Sequence, residues 1–188
     1  IVLSKSLVIG KGTNIKITSD GTKSITGTLT GSNYALIDVN VDSTLEIENV
    51  TINAGATADV LLRAFYISRN GHLILGEGTV VTGANTTSNG GAIYLKNSKL
   101  TVDGATISGN VTTKNGGAIH CEGVESKVVL KSGKIENNTS GTSNSGILMW
   151  EGVLDVYNTM EWANNLNSAT GKNGDSLGFG SDVTFNMY

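Results

Sequence analysis

The chain has 188 residues, a formal net charge of −3, 25 glycines, no proline and one cysteine, and only 5% of its residues are aromatic. That length suits one domain, and so weak a charge, with lysines and acids scattered singly, leaves no electrostatic footprint for nucleic acid or an anionic membrane. No apolar run approaches a membrane span, no secretory leader opens the sequence, and a lone cysteine excludes a disulfide within the chain.

In chain order, Leu7 to Ile9 and Ile15 to Ile17 read as strands of an opening coil, with the turn GKGTN between them. Residues 18–33, rich in Thr, Ser and Gly, fit no repeat and read as an insertion, so 1–42 is taken as irregular. From Tyr34 an alternation resumes in ALIDVNVD. With Ile37, Val39 and Val41 inward, Asp38, Asn40 and Asp42 make an outward oxygen row able to hold a hard cation; a solvated strand edge is the plainer reading. No other residues suggest a metal, and no cofactor is implied.

Beyond residue 42 the chain repeats itself. Leu45, Leu73, Leu100, Val128, Leu154 and Val183 recur at steps of 28, 27, 28, 26 and 29, and a second apolar column follows two residues later in each unit. Ile52, Val80, Ile107, Ile135 and Trp162 mark a middle strand. Phe65 and Ile67, Ile93 and Leu95, Ile119 and Cys121, Ile147 and Met149, and Leu177 and Phe179 mark a third. Residues i and i+2 of a strand share a face, and the three-to-four spacing of helical repeats is absent.

The expectation is an all-β, single-stranded right-handed parallel β-helix of about six to seven coils of roughly 26–30 residues, three strands per coil. The handedness comes from the rule for parallel crossovers. Residues 1–188 form one domain, with regular coils over 43–181 and residues 182–188 opening a further coil. That unfinished coil marks the chain as a fragment of a longer surface protein.

Within this frame most reactive residues have bland readings. Cys121 falls in an inward column, as a small buried hydrophobe. Glu46 and Glu48 share the outer face of one strand without a third polar group, and Arg63 and Arg69, the only arginines, stand at corners. Asn110, Asn138 and Asn165 lie 28 and 27 residues apart and should stack as a ladder bridging coil to coil, each accepting the left-handed backbone of a sharp corner.

Two verbatim GGAI segments, Gly90 to Ile93 and Gly116 to Ile119, and the IxxN segments Ile107 to Asn110 and Ile135 to Asn138 resemble the GGA(I/L/V) and FxxN repeats of polymorphic outer-membrane proteins and of adhesin-like β-helices from gut bacteria and archaea. The resemblance covers most of residues 43–180. It implies an extracellular or cell-surface module, commonly adhesive, without known chemistry. In expected fold the chain also resembles pectate lyases and polygalacturonases, but it has neither their clustered aspartates on adjacent coils nor a nearby Arg or Lys able to act as base.

The columns locate one candidate face. With Ile93 and Leu95 inward, Tyr94 points out, and the repeat places Tyr66, His120 and Trp150 in or beside the same row, flanked by Ala64, Ala92 and Ala118. Aromatic faces beside small residues suit stacking on sugar rings or peptide, so Tyr66, Tyr94, His120 and Trp150 are the candidate contacts. An unperturbed His120 would make binding change between about pH 5 and 8. The functional expectation is a non-catalytic surface module that displays or binds a glycan or host surface protein. A carbohydrate-active lyase or hydrolase, or a rigid spacer without ligand, are the alternatives.

Overall fold

The computed structural model describes residues 1–30, 34–57, 59–173 and 176–188. Every regular element among them is a β-strand. The strands stack as a parallel β-solenoid of about 6 turns. A typical coil carries a long strand such as Lys99–Ser108, a two-residue strand such as Val111–Thr112 and a short strand such as Ile119–Glu122. Pairing between coils is parallel, except where Leu166–Asn167 meets Lys172–Asn173 antiparallel and at an isolated antiparallel bridge between Leu62 and Asn85.

The long strands form the main core seam. Leu45, Leu73, Leu100, Val128 and Leu154 pair in turn, one per coil, and each is fully buried. The column extends back to Ile15, which pairs with Leu45. Forward, Leu154 pairs with Phe185, not with the expected Val183, which pairs with Gly152. Valine and phenylalanine stand two residues apart on one face, so side-chain parity could not choose between them. In the middle strand Val81, not Val80, faces Ile52 and Ile107.

The third face obeys the expected register throughout, with Phe65, Ile93, Ile119, Ile147 and Leu177 in one column and Ile67, Leu95, Cys121, Met149 and Phe179 in the next. Burial pushes the Cys121 thiol up to about 12, and it stays an inert core group. In the first coil, strand Asn14–Gly27 pairs with Thr44–Asn53, and the register jump between Thr18 and Lys23 accommodates the extra residues. The expected insertion is thus confined to that jump, since Lys23 to Thr26, also assigned to it, pair in order with Val50 to Asn53. Residues 31–33, also assigned to it, lie outside the described residues.

The GGAI segments have a steric explanation. Gly116 adopts φ 67°, and a Cβ on Gly117 would lie 2.3 Å from the Ser145 carbonyl oxygen of the next coil. Gly90 and Gly91 repeat both features one coil earlier, with φ 73° and a 2.0 Å approach to the Gly117 oxygen. The first glycine turns the corner and the second lets neighbouring backbones touch.

Asn110, Asn138 and Asn165 are fully buried and joined. Asn138 Oδ1 accepts from the Asn110 backbone N–H at 3.1 Å and from Asn110 Nδ2 at 3.0 Å, and Asn165 Oδ1 does the same for Asn138 at 3.1 Å each. Each Nδ2 also reaches back to a carbonyl, at Val81, Ile107 and Ile135 respectively. The left-handed backbone is one residue upstream of where it was expected, at Gly109, Asn137 and Asn164. The ladder asparagines therefore supply amide valences, and their predecessors supply the turn.

Candidate functional site

The outward row of the short strands is built by pairing Val8, Asp38, Tyr66, Tyr94, His120, Leu148 and Gly178 in succession. Period-two alternation forces these side chains outward once their neighbours fill the core. Tyr66 stacks on Tyr94 at 5.7 Å and Tyr94 on His120 at 5.6 Å, both with planes 13° apart, and Tyr34 meets Tyr66 edge-on at 4.9 Å. The parallel rings follow from equal positions on adjacent coils.

The row is not the open strip that alternation suggested. Ala64, Ala92 and Ala118 are fully buried, Leu148 is 4% exposed and His120 only 2%, while Tyr66 and Tyr94 are half-buried. Trp150, at 51% exposure, is the ring that offers its surface to solvent. His120 is a wall residue whose Nε2 lies 2.9 Å from Glu122 Oε1. Tyr94 donates its hydroxyl to Glu122 Oε2 at 2.7 Å, and Lys96 Nζ stands 4.0 Å from that same oxygen. Burial alone would raise the Glu122 pKa, but the hydrogen bonds from Tyr94 and His120, with the charges of His120 and Lys96, hold it below the usual carboxylate range.

Arg63 was assigned to a corner, yet it is 1% exposed. Its guanidinium carbon lies 4.2 Å from the Tyr34 ring centre and 5.0 Å from that of Tyr94, and neither Nε nor Nη1 has a hydrogen-bond partner among the described residues. A long side chain reaching across coils leaves no trace in a 28-residue period. The two rings offset the cost of burying the charge only in part, since burial depresses the Arg63 pKa despite the neighbouring tyrosines and Asp38. Arg63→Met is therefore expected to leave thermal stability unchanged or raise it. A loss of about 1 kcal/mol or more on chemical unfolding would contradict this account of the buried charge.

Asp38, Asn40 and Asp42 do not form an oxygen row. The strand Ala35–Val39 ends before the second of them, so only Asp38 is on its outer face, beneath Tyr66. Asn40 Oδ1 instead accepts from the Val41 N–H at 2.7 Å, and Asp42, with φ 56°, turns the corner and accepts from Asn70 Nδ2 at 3.1 Å. Among the described residues no group of three or more His, Cys, Asp or Glu side chains is placed to hold a metal ion. Glu46 and Glu48 are spoken for as well, each 2.9 Å from Lys16 Nζ.

Two depressions of 610 Å³ each lie along this face. One is lined by Asn40, Tyr66, Arg69, Lys96 and Asn97 among others, and the second by Lys96, Asn97, His120, Glu122, Trp150 and Glu151. Sharing Lys96 and Asn97, they follow one another along the solenoid. Glu122 and Glu151 escape a search for aromatic columns; the signal for Glu122 was its place two residues after His120, on the same strand face.

His120 titrates lower than an isolated imidazole, chiefly because it is buried, with Arg63 adding to the effect and Glu122 opposing it. The expected switch of an unperturbed imidazole is thereby moved to lower pH. His72, half-buried with Nε2 3.0 Å from Thr101 Oγ1, is lowered for the same first reason and by Lys99. Between the ordinary histidine value of 6.5 and the lower folded values, the unfolded chain binds more protons than the folded one. Stability is then full above about 6.5 and falls as pH drops below it. The melting temperature is expected to decrease between pH 7 and pH 5, by less in His120→Gln; a flat profile in the native chain contradicts the burial of both rings.

Comparison of the chain with protein-family models, with curated proteins and with solved structures gives no match. The likeness to outer-membrane and adhesin-like repeats thus rests on the GGAI and IxxN segments, whose glycines and asparagines serve coil stacking.

Proposed function

We propose that this chain is a non-catalytic, adhesin-like module of a bacterial cell surface, extracellular in setting, that holds an extended glycan along the face of its short strands. The observation that supports this reading is the pair of adjoining depressions running from Asn40 to Glu151. Adjacent coils are spaced by about 4.8 Å, close to the length of a pyranose ring, so a chain of sugars meets a comparable set of side chains at each step. Trp150 gives a stacking surface at one end, and asparagines, carboxylates and Lys96 supply hydrogen bonds for hydroxyl groups.

Display is favoured over catalysis by the state of Glu122. A glycosidase acid needs its carboxyl raised toward neutrality, whereas Glu122 is held lowered and bonded on both oxygens. The test is a glycan array probed with the chain, alongside a screen for release of reducing ends or unsaturated sugars from polysaccharides. Retention of extended glycans without release is expected, with Trp150→Ala weakening binding about tenfold, the loss of roughly 1.4 kcal/mol of stacking. Sugar release would overturn the non-catalytic reading. Failure to retain any glycan would leave a rigid spacer or a protein-binding surface.

A further inference from the structure

We propose that the Trp150 end of the groove is a subsite for an amine-bearing sugar, a hexosamine unit whose amino group is free and protonated. This rests on the glycan reading above and names the ligand class of that site. Two carboxylates border this end, and both are fixed. Glu122 is held on Oε1 by His120, itself 2% exposed, and on Oε2 by the Tyr94 hydroxyl. Glu151 Oε2 accepts the backbone N–H of Gly123 at 2.9 Å. Carboxylates tied in this way meet a ligand without first losing side-chain freedom, and each oxygen retains a lone pair for a further donor.

The balance of charge and valence then selects the ligand. Lys96 is the one lysine or arginine among the residues lining this depression, and it is a loose partner, 4.0 Å from Glu122 Oε2 and 55% exposed. Two carboxylates against one solvated lysine leave this end negative. His120 Nδ1 is buried and without a partner among the described residues, so the imidazole serves this end by fixing Glu122 through Nε2 and not by meeting the ligand. The unspent valences of the two carboxylates are acceptors, which suit an ammonium group flanked by hydroxyls. The exposed indole of Trp150 lines the same space and attracts a cation over its face. An acidic sugar placed here would meet like charge.

The test is calorimetric titration of the whole chain with three tetrasaccharides of one length: β-1,4-linked glucosamine with free amines, its fully N-acetylated counterpart, and cellotetraose. The free amine is expected to bind at least tenfold more tightly than the N-acetylated form in low salt, with the advantage shrinking in about 0.5 M salt as screening shortens the reach of the carboxylates. Glu151→Gln, which keeps an acceptor for Gly123 N–H, should bring that ratio toward one. Equal affinity for all three sugars overturns the amine subsite and leaves the groove reading standing. Tighter binding of an oligogalacturonate than of the free amine also overturns it, since the polarity of the site would be reversed. Binding to none of these, with an empty glycan array, removes both proposals.

Discussion

Asn138→Ala is expected to cost about 3–5 kcal/mol of stability, more than any surface change in this chain. The side chain accepts from Asn110 through the backbone N–H and Nδ2, and donates to the carbonyls of Ile107 and Glu136 and to Asn165 Oδ1. All three ladder asparagines are fully buried, so no water replaces what is lost. Each buried donor or acceptor left without a partner costs roughly 1–3 kcal/mol, and alanine strands at least the Asn110 N–H and the Ile107 carbonyl. Asn138→Asp keeps the acceptor but places an ionisable group in the same buried setting, so it should be damaging at pH 7 and partly relieved in acid. Urea unfolding of the three chains measures this; a cost below about 1 kcal/mol for alanine would mean that the ladder is ornamental.

Leu100→Ala carries the second large effect. Leu100 is fully buried between Leu73 and Val128, themselves fully buried and held at their spacing by the parallel ladders of their own strands. Those ladders resist the collapse that would shrink the cavity, which places the cost in the range of about 2–5 kcal/mol. Lys99→Ala, at an exposed position on the outer side of the same strand, is the control and should stay within about 0.5 kcal/mol. Comparable losses at both positions would show that the faces of this strand are misassigned.

Most of the solenoid was legible because one coil constrains the next. Leu45, Leu73, Leu100, Val128 and Leu154 are near-copies at equal intervals, and parallel pairing turns equal intervals into vertical stacks. The errors occur where that logic is silent. Val80 and Val81 are adjacent and equally apolar, so alternation alone could not say which faces inward. Val183 and Phe185 have the same parity, and only hydrogen-bond register separates them. The asparagine ladder was placed by spacing, yet its turn residues are the preceding ones, a detail of backbone angle invisible to a column count.

The candidate face was less legible, for a related reason. Spacing predicts which side chains leave the core, and Tyr66, Tyr94 and His120 do so in one stacked row. It does not predict what lies over them. Tyr34 arrives from the opening segment before the regular coils and Arg63 from the start of the same short strand as Tyr66, the arginine lying across the rings of Tyr34 and Tyr94, and the row becomes a groove wall. Trp150, at the far end, keeps its exposure and with it the best claim to ligand contact. His120 acts through Glu122, so its replacement would disturb the wall as well as any ligand.

The chain has two tryptophans, Trp150 in the groove and Trp162 packed against the core, so indole fluorescence reports directly on where a sugar lies. Titration with the free-amine tetrasaccharide, and with any extended glycan retained on the array, is expected to change the emission of the native chain and of Trp162→Phe, and to leave Trp150→Phe unchanged. The same change in Trp150→Phe as in the native chain, with glycan binding intact, would contradict a binding groove on the short-strand face.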